Sequence, residues 1–347
     1  MTIIVDLSLE SLIRFSIFMS RLCLVATVGF ATQFAIAQSN HSITTQADFE
    51  RAMEELSNWG RWGDTDEKGA SNLITPEKRI QAAALVREGI SVSMAHDINE
   101  ERGVDASSAL IRTVLRVSPT GASDQYQYDG SYHGTIHSHL DSVDCHIMYN
   151  GFGYNGLSYQ EVEEADGCPR GSINAQKDGI ITRGILFDAT LLPGMATAGG
   201  WLPLGTAIHY EDLVELERIQ GVKVEPGDVI LLYTGRWKRR EALGPWPTSE
   251  GVAGYHADVA YFMKERGVSF IGHDMWNDVS PSGVPEARLP LHSLSLVSLG
   301  VGIFDNLDFE RVAEVAKELN RYEFLFMASP LRIEKGMGSP LNPIATF

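Results

Sequence analysis

Two alternating apolar patterns restrict this chain more than any other feature. Ile185-Leu186-Phe187, Val229-Ile230-Leu231-Leu232-Tyr233, Val268-Ser269-Phe270-Ile271 and Phe324-Leu325-Phe326-Met327 are short runs with almost no polar side to turn towards water. Such runs read as strands covered on both faces. Between them lie segments with helical spacing. Thr45–Trp59 puts Phe49, Met53 and Leu56 on one side. Thr75-Pro76-Glu77 offers a cap hydroxyl, a proline for the first turn and an acid for the helix dipole, predicting a helix to about Arg87 that stops by Gly89. Further helices are predicted over Glu211–Gln220 and His256–Arg266, ended by Gly221 and Gly267, and over Asp308–Leu319 with Asp308 as cap. Strands buried on both faces need helices on either side of their sheet. The interleaving therefore specifies an α/β fold in a single domain, with no linker or repeat to divide it.

Charge narrows the partners. The chain has 28 Lys and Arg against 45 Asp and Glu, a formal charge of −17. That balance repels phosphate backbones, and the one short basic cluster, Lys238-Arg239-Arg240, is too small to offset it, so nucleic acid is excluded as a partner. At the N-terminus, Leu22–Ala37 is an uncharged apolar run preceded by Arg14 and Arg21 and closed by Ala35-Ile36-Ala37. It is short for a bilayer and lacks a basic flank, so it reads as a secretory signal peptide, residues 1–37, rather than a stop-transfer helix. The mature domain would then be residues 38–347, secreted or periplasmic and without a membrane contact. Of the three cysteines, Cys145 and Cys168 remain in that domain and face an oxidising compartment, either paired or free.

The chemistry gathers in residues 132–146, Tyr-His-Gly-Thr-Ile-His-Ser-His-Leu-Asp-Ser-Val-Asp-Cys-His, which hold four of the chain's 10 histidines. On an extended backbone side chains alternate, so His133, His137, His139 and Asp141 would project from one face. A solvent-facing polar strand is the plainer reading. Three imidazoles and a carboxylate in phase favour a metal site, and that donor set suits zinc or manganese with a coordination position left for water. No Gly-x-Ser-x-Gly elbow supports serine catalysis.

The segment from His133 to His146, followed by Tyr154-Asn155-Gly156, resembles the metal-dependent cyclase family that includes bacterial kynurenine formamidases and isatin hydrolases. Four further stretches match in order: Asn58–Gly63 with Asn72–Pro76, Gly221–Asp228 leading to Thr234-Gly235-Arg236, Leu291-His292 through Leu307, and Gly336–Pro343. The resemblance implies a compact α/β domain with a β-barrel-like mixed sheet flanked by helices, assembled as a homodimer or homotetramer. It also implies a divalent metal, zinc or manganese, and hydrolysis of an amide, lactam or lactone bond in a small cyclic or aryl substrate by metal-activated water. Family ligands follow His-x-x-x-His-x-Asp. His139 and Asp141 fall on the second and third of these; Thr135 occupies the first, so His137 or His133 would replace it. His146, one residue further along than the pattern places it, takes the proton-transfer role. His292 matches a second-metal ligand, and Asp305 stands where that site usually has Glu. The competing reading is a non-catalytic envelope protein that binds metal or a small molecule on the same fold. His273-Asp274, Asp188 and the possible pocket aromatics Trp201, Trp237 and Trp276 are secondary candidates.

Overall fold

The computed structural model describes residues 41–347, so the signal-peptide segment 1–37 lies outside the described residues. Thirteen strands lie among the described residues: β1 Ser91–Ser93, β2 Leu110–Ser118, β3 Gly121–Tyr128, β4 His139–Asp141, β5 Ile180–Asp188, β6 Ala207–Ile208, β7 Val229–Tyr233, β8 Gly254–Tyr255, β9 Phe270–His273, β10 Gly302–Asp305, β11 Glu323–Ala328, β12 Gly338–Pro340 and β13 Ile344–Thr346. Nine of them form one sheet in the order β1-β13-β11-β5-β7-β9-β10-β4-β12. The middle strands β5, β7, β9 and β10 run parallel and the flanking pairs antiparallel, so the sheet is mixed. It curls as an open half-barrel flanked by helices, within one unit spanning Ser42–Phe347.

The apolar runs became the parallel core for the expected reason. Every residue of β7 and β9 is buried, because helices cover both faces of the sheet. One apolar cluster joins Ile230, Leu232 and Ile271 to the helices Tyr210–Gln220 and Val259–Arg266. The other joins Leu231, Phe270 and Phe304 to Val312, Val315 and Phe324. Helix Gln46–Glu55 has a capping box from Thr45 and Asp48, and Pro76 starts the next helix behind a Thr75 cap. That helix ends at Ala83 rather than Arg87, because the chain turns to give the Gly89 N–H to the Phe347 carbonyl (2.9 Å) and enter β1. The helix expected from His256 starts at Val259, since the His256 N–H still donates to Ile208 (2.8 Å) in the β6–β8 pairing. Helix Glu310–Leu319 begins just after Asp308, whose carboxylate accepts the Glu310 N–H (3.1 Å).

Two features were not anticipated. Strands β2 and β3 form a hairpin whose residues are nearly all exposed. The turn Pro290–His292 runs directly into a π-helical stretch, Ser293–Leu299.

Candidate metal centre

Strand β4 lies between β10 and β12, which puts Asp305 of β10 directly opposite His139. Leu140 is fully buried in the core, and His139 and Asp141, one residue to either side, face away from it. Beyond β4 the chain brings His146 back to the same place. The Ser142–Cys145 segment is anchored by a Cys145–Cys168 disulfide with Cα atoms 5.8 Å apart, and Asp144 points away into a cradle at Gly171, where a Cβ would fall 1.9 Å from its carboxyl carbon. Burial pushes the Asp144 carboxyl up to about 8, against the pull of Arg170 at 3.7 Å.

Asp141 is the hub. Its Oδ1 lies 2.9 Å from His133 Nδ1 and 3.4 Å from His139 Nε2, and its Oδ2 lies 3.6 Å from His146 Nε2 and 4.0 Å from His292 Nε2. Asp305 Oδ2 is 3.4 Å from His292 Nε2 and 3.9 Å from His139 Nε2. His133 stacks on His146, centroids 4.1 Å apart, and occupies the space beside Gly338, where a Cβ would come within 2.6 Å of its ring. Two overlapping triads result, His133-His139-Asp141 and Asp141-His292-Asp305, each with donor atoms within 4.8 Å of one another.

The outer partners settle which nitrogens face inward. His139 Nδ1 donates to the His137 carbonyl (2.8 Å), which can only accept, so Nε2 is the nitrogen turned towards the cluster. His292 Nδ1 is held by Asp278, whose carboxylate also receives the Leu291 and His292 N–H groups (2.7 and 3.1 Å). Asn277 Nδ2 donates to Asp305 Oδ1 (2.7 Å). Imidazoles oriented by a carboxylate or carbonyl behind them are the usual arrangement at metal sites. Asp141 Oδ2 is buried without a hydrogen-bond donor. A cation would satisfy that oxygen and the inward-facing nitrogens together, and a set of only nitrogen and oxygen donors fits a borderline or hard divalent ion.

Electrostatics agree with a cluster that attracts positive charge. Burial alone would depress His139, but the hydrogen bond and charge of Asp141, helped by Asp305, lift it to about 8. Burial would raise Asp141, yet His146, His133 and His139 hold it well below the usual carboxylate range. Burial and the neighbouring imidazoles push His146 down to about 4 despite Asp141.

His137 requires a correction. The in-phase argument needs extended backbone from 133 to 141, but only 139–141 is strand, and the preceding residues turn. His137 therefore points elsewhere. Its Nε2 meets the Ser108 carbonyl at 3.2 Å, and it lines a separate cavity of about 530 Å³. His133 comes to Asp141 instead, and His292 and Asp305 complete the second triad. Asp274 accepts the Thr234, Gly235 and Arg236 N–H groups and so caps a helix; Asp188 closes a turn on Thr190. Asn277 and Asp278 carried no recognisable signal, being brought in by a loop after β9. Another His/Asp group, His209-His256-Asp258, joins the starts of two helices through Asp258, which accepts the Tyr210 N–H (3.1 Å).

A cavity of about 460 Å³ opens onto the cluster through His133, His139, His146, His292 and Asp305. Its remaining wall includes Val104, Thr135, Thr248, Trp276, Arg288 and Leu289. Of the candidate pocket aromatics, Trp276 is the one that lines it. The volume suits a small ring-sized ligand.

Comparison with known proteins supplies the remaining observation. Residues 39–278 match a family model described as putative cyclase. The crystal structure of a novel cyclase superposes with a TM-score of 0.73 at 28% identity, covering 85% of this chain and 99% of the other. Isatin hydrolase A from Labrenzia aggregata, bound to benzyl benzoate, gives 0.53 at 18% identity over 77% of this chain and 96% of its own. Isatin hydrolase A from Ralstonia solanacearum gives 0.54 at 16% over 76% and 93%. Identities that low show a shared fold. No curated protein matches the sequence.

Proposed function

The chain belongs to the putative cyclase family, and on that premise we propose that it is a metal-dependent hydrolase of carbon–nitrogen or ester bonds, opening an amide, lactam or lactone in a small cyclic or aryl substrate. The observation that carries this reading is a buried carboxylate, Asp141, ringed by His133, His139, His146 and His292 beside a ring-sized cavity. His133, His139 and Asp141 would hold zinc or manganese; Asp141, His292 and Asp305 offer a second position. A divalent ion bound there would polarise a carbonyl and acidify water. The chain's own residues supply the rest. His146 faces the cavity, is stacked in place by His133 and is neutral at pH 7, so its imidazole is free to take a proton from water and return it to the leaving nitrogen or oxygen. Asp278 and Asn277 hold His292 and Asp305 in position. Trp276, Val104 and Leu289 supply an apolar wall that orients a ring.

The same reading takes the mature chain to be secreted or periplasmic, which the Cys145–Cys168 pair supports. It also takes the protein to be a homodimer or homotetramer. The β2–β3 hairpin supports this, because two isolated strands exposing Ile111, Val114, Leu115, Val117 and Tyr126 are marginal without a partner surface.

The test is elemental analysis of the purified protein, then a screen of formamides, lactams and lactones with and without chelator. A bound divalent ion and chelator-sensitive turnover are expected. A protein that binds ligands but turns over none of them, or activity intact in His139→Ala, would overturn the mechanism.

A further inference from the structure

Arg288 is the one cationic side chain, apart from the imidazoles, among the residues lining the 460 Å³ cavity. Arg288 is exposed, and among the described residues it forms no ion pair or hydrogen bond, although this chain has an excess of acids to offer. Two guanidinium groups that reach other residues of the cavity wall are already engaged: Arg240 pairs with Asp105 at 2.7 and 3.2 Å, and Arg236 donates to the Thr135 carbonyl. Arg288 sits in a loop tied down at both ends. Ser282 Oγ donates to the Ala287 carbonyl (2.6 Å), and Asp278 receives the Leu291 N–H (2.7 Å) just before the ligand His292. The loop that positions a metal ligand thus also carries an unpaired guanidinium to the mouth of the same cavity, next to the apolar wall of Leu289, Trp276 and Val104.

We infer that Arg288 is a specificity residue that binds a carboxylate on the substrate, so that the substrate class is a small ring compound bearing an anionic group besides the bond to be cleaved. The inference rests on the hydrolase reading for the location of the chemistry. Its physical basis is separate. A guanidinium is a planar fork that matches a carboxylate with two parallel hydrogen bonds. At a cavity mouth such a pair discriminates an anion from its neutral isostere.

Benzoate and benzamide, isosteres that differ in charge, are the probes, titrated by calorimetry into full-length zinc-loaded protein. Wild type should bind benzoate at least about tenfold more tightly than benzamide. Arg288→Gln should remove that preference by weakening benzoate while changing benzamide less than about twofold, and Arg288→Lys should recover part of it. Equal benzoate binding by wild type and Arg288→Gln would overturn the inference, since the ion would then hold the carboxylate. So would a wild-type preference for benzamide. Paired kinetics on formanilide and a carboxylated formanilide separate the two readings. If Arg288→Gln raises KM only for the charged substrate, both stand. If both substrates turn over equally in both proteins, the hydrolase reading stands and this one falls. If neither turns over but benzoate binding still depends on Arg288, the anion site stands and the hydrolase reading falls.

Discussion

The placement of His133 and His137 on different sides of their segment makes a sharp prediction. His133 Nδ1 is 2.9 Å from Asp141 and belongs to a triad, whereas His137 is buried against the Ser108 carbonyl. Deleting even an outer partner of a metal ligand costs about 10–100-fold in affinity, so His133→Ala should weaken zinc binding by at least about 100-fold. With zinc at about 1,000 times the wild-type Kd, binding stabilises the fold by about 4.1 kcal/mol; at about 10 times Kd, the variant's condition, it adds about 1.4 kcal/mol. The missing increment is about 2.7 kcal/mol. At roughly 2.1 cal/mol/K of unfolding entropy per residue over about 300 residues, this is a zinc-dependent Tm shift smaller by about 4 °C. His133→Ala itself should fold, because its side chain is 20% exposed and water can fill the space. His137→Ala should cost about 1–3 kcal/mol with or without zinc, leaving the zinc-dependent increment at its wild-type size. The assay is thermal unfolding of both variants with zinc and with chelator. If His137→Ala loses the zinc-dependent shift and His133→Ala keeps it, the reasoning is refuted.

Three other outcomes follow from the same geometry. Asp278→Asn, which removes the charge behind His292, should lower kcat/KM about 10–100-fold while leaving the chelator-treated protein folded by circular dichroism. Burial would raise the Glu217 carboxyl, but Arg266, Lys223 and the Val224 N–H hold it below its ordinary value, so its stabilisation is present above about pH 4.5 and is lost as pH falls through the lowered value. Glu217→Gln should therefore cost about 1–3 kcal/mol in urea unfolding at pH 7 and progressively less towards pH 3; an unchanged difference would contradict the assignment. Replacing Cys145 and Cys168 with serine opens a loop with a sequence separation of 23, worth about 3 kcal/mol in the chain-entropy model, and a double variant as stable as wild type would show that the bridge does not form.

Much of this molecule was determined by local sequence. The apolar runs at 185–187 and 229–233 could only be two-faced strands, and Thr75-Pro76 could only begin a helix, because those signals act through neighbouring residues in the chain. The His139-x-Asp141 pair also follows from strand alternation alone. What tertiary structure decided is everything that depends on distant segments meeting. The turn before β4 sends His133 to Asp141 and His137 away from it. The pairing of β10 with β4 puts Asp305 opposite His139, and the loop after β9 delivers Asn277, Asp278 and Arg288, none of which any spacing marks. Periodicity fixes the direction of a side chain only while the backbone stays regular, and a metal centre is assembled where regular backbone ends.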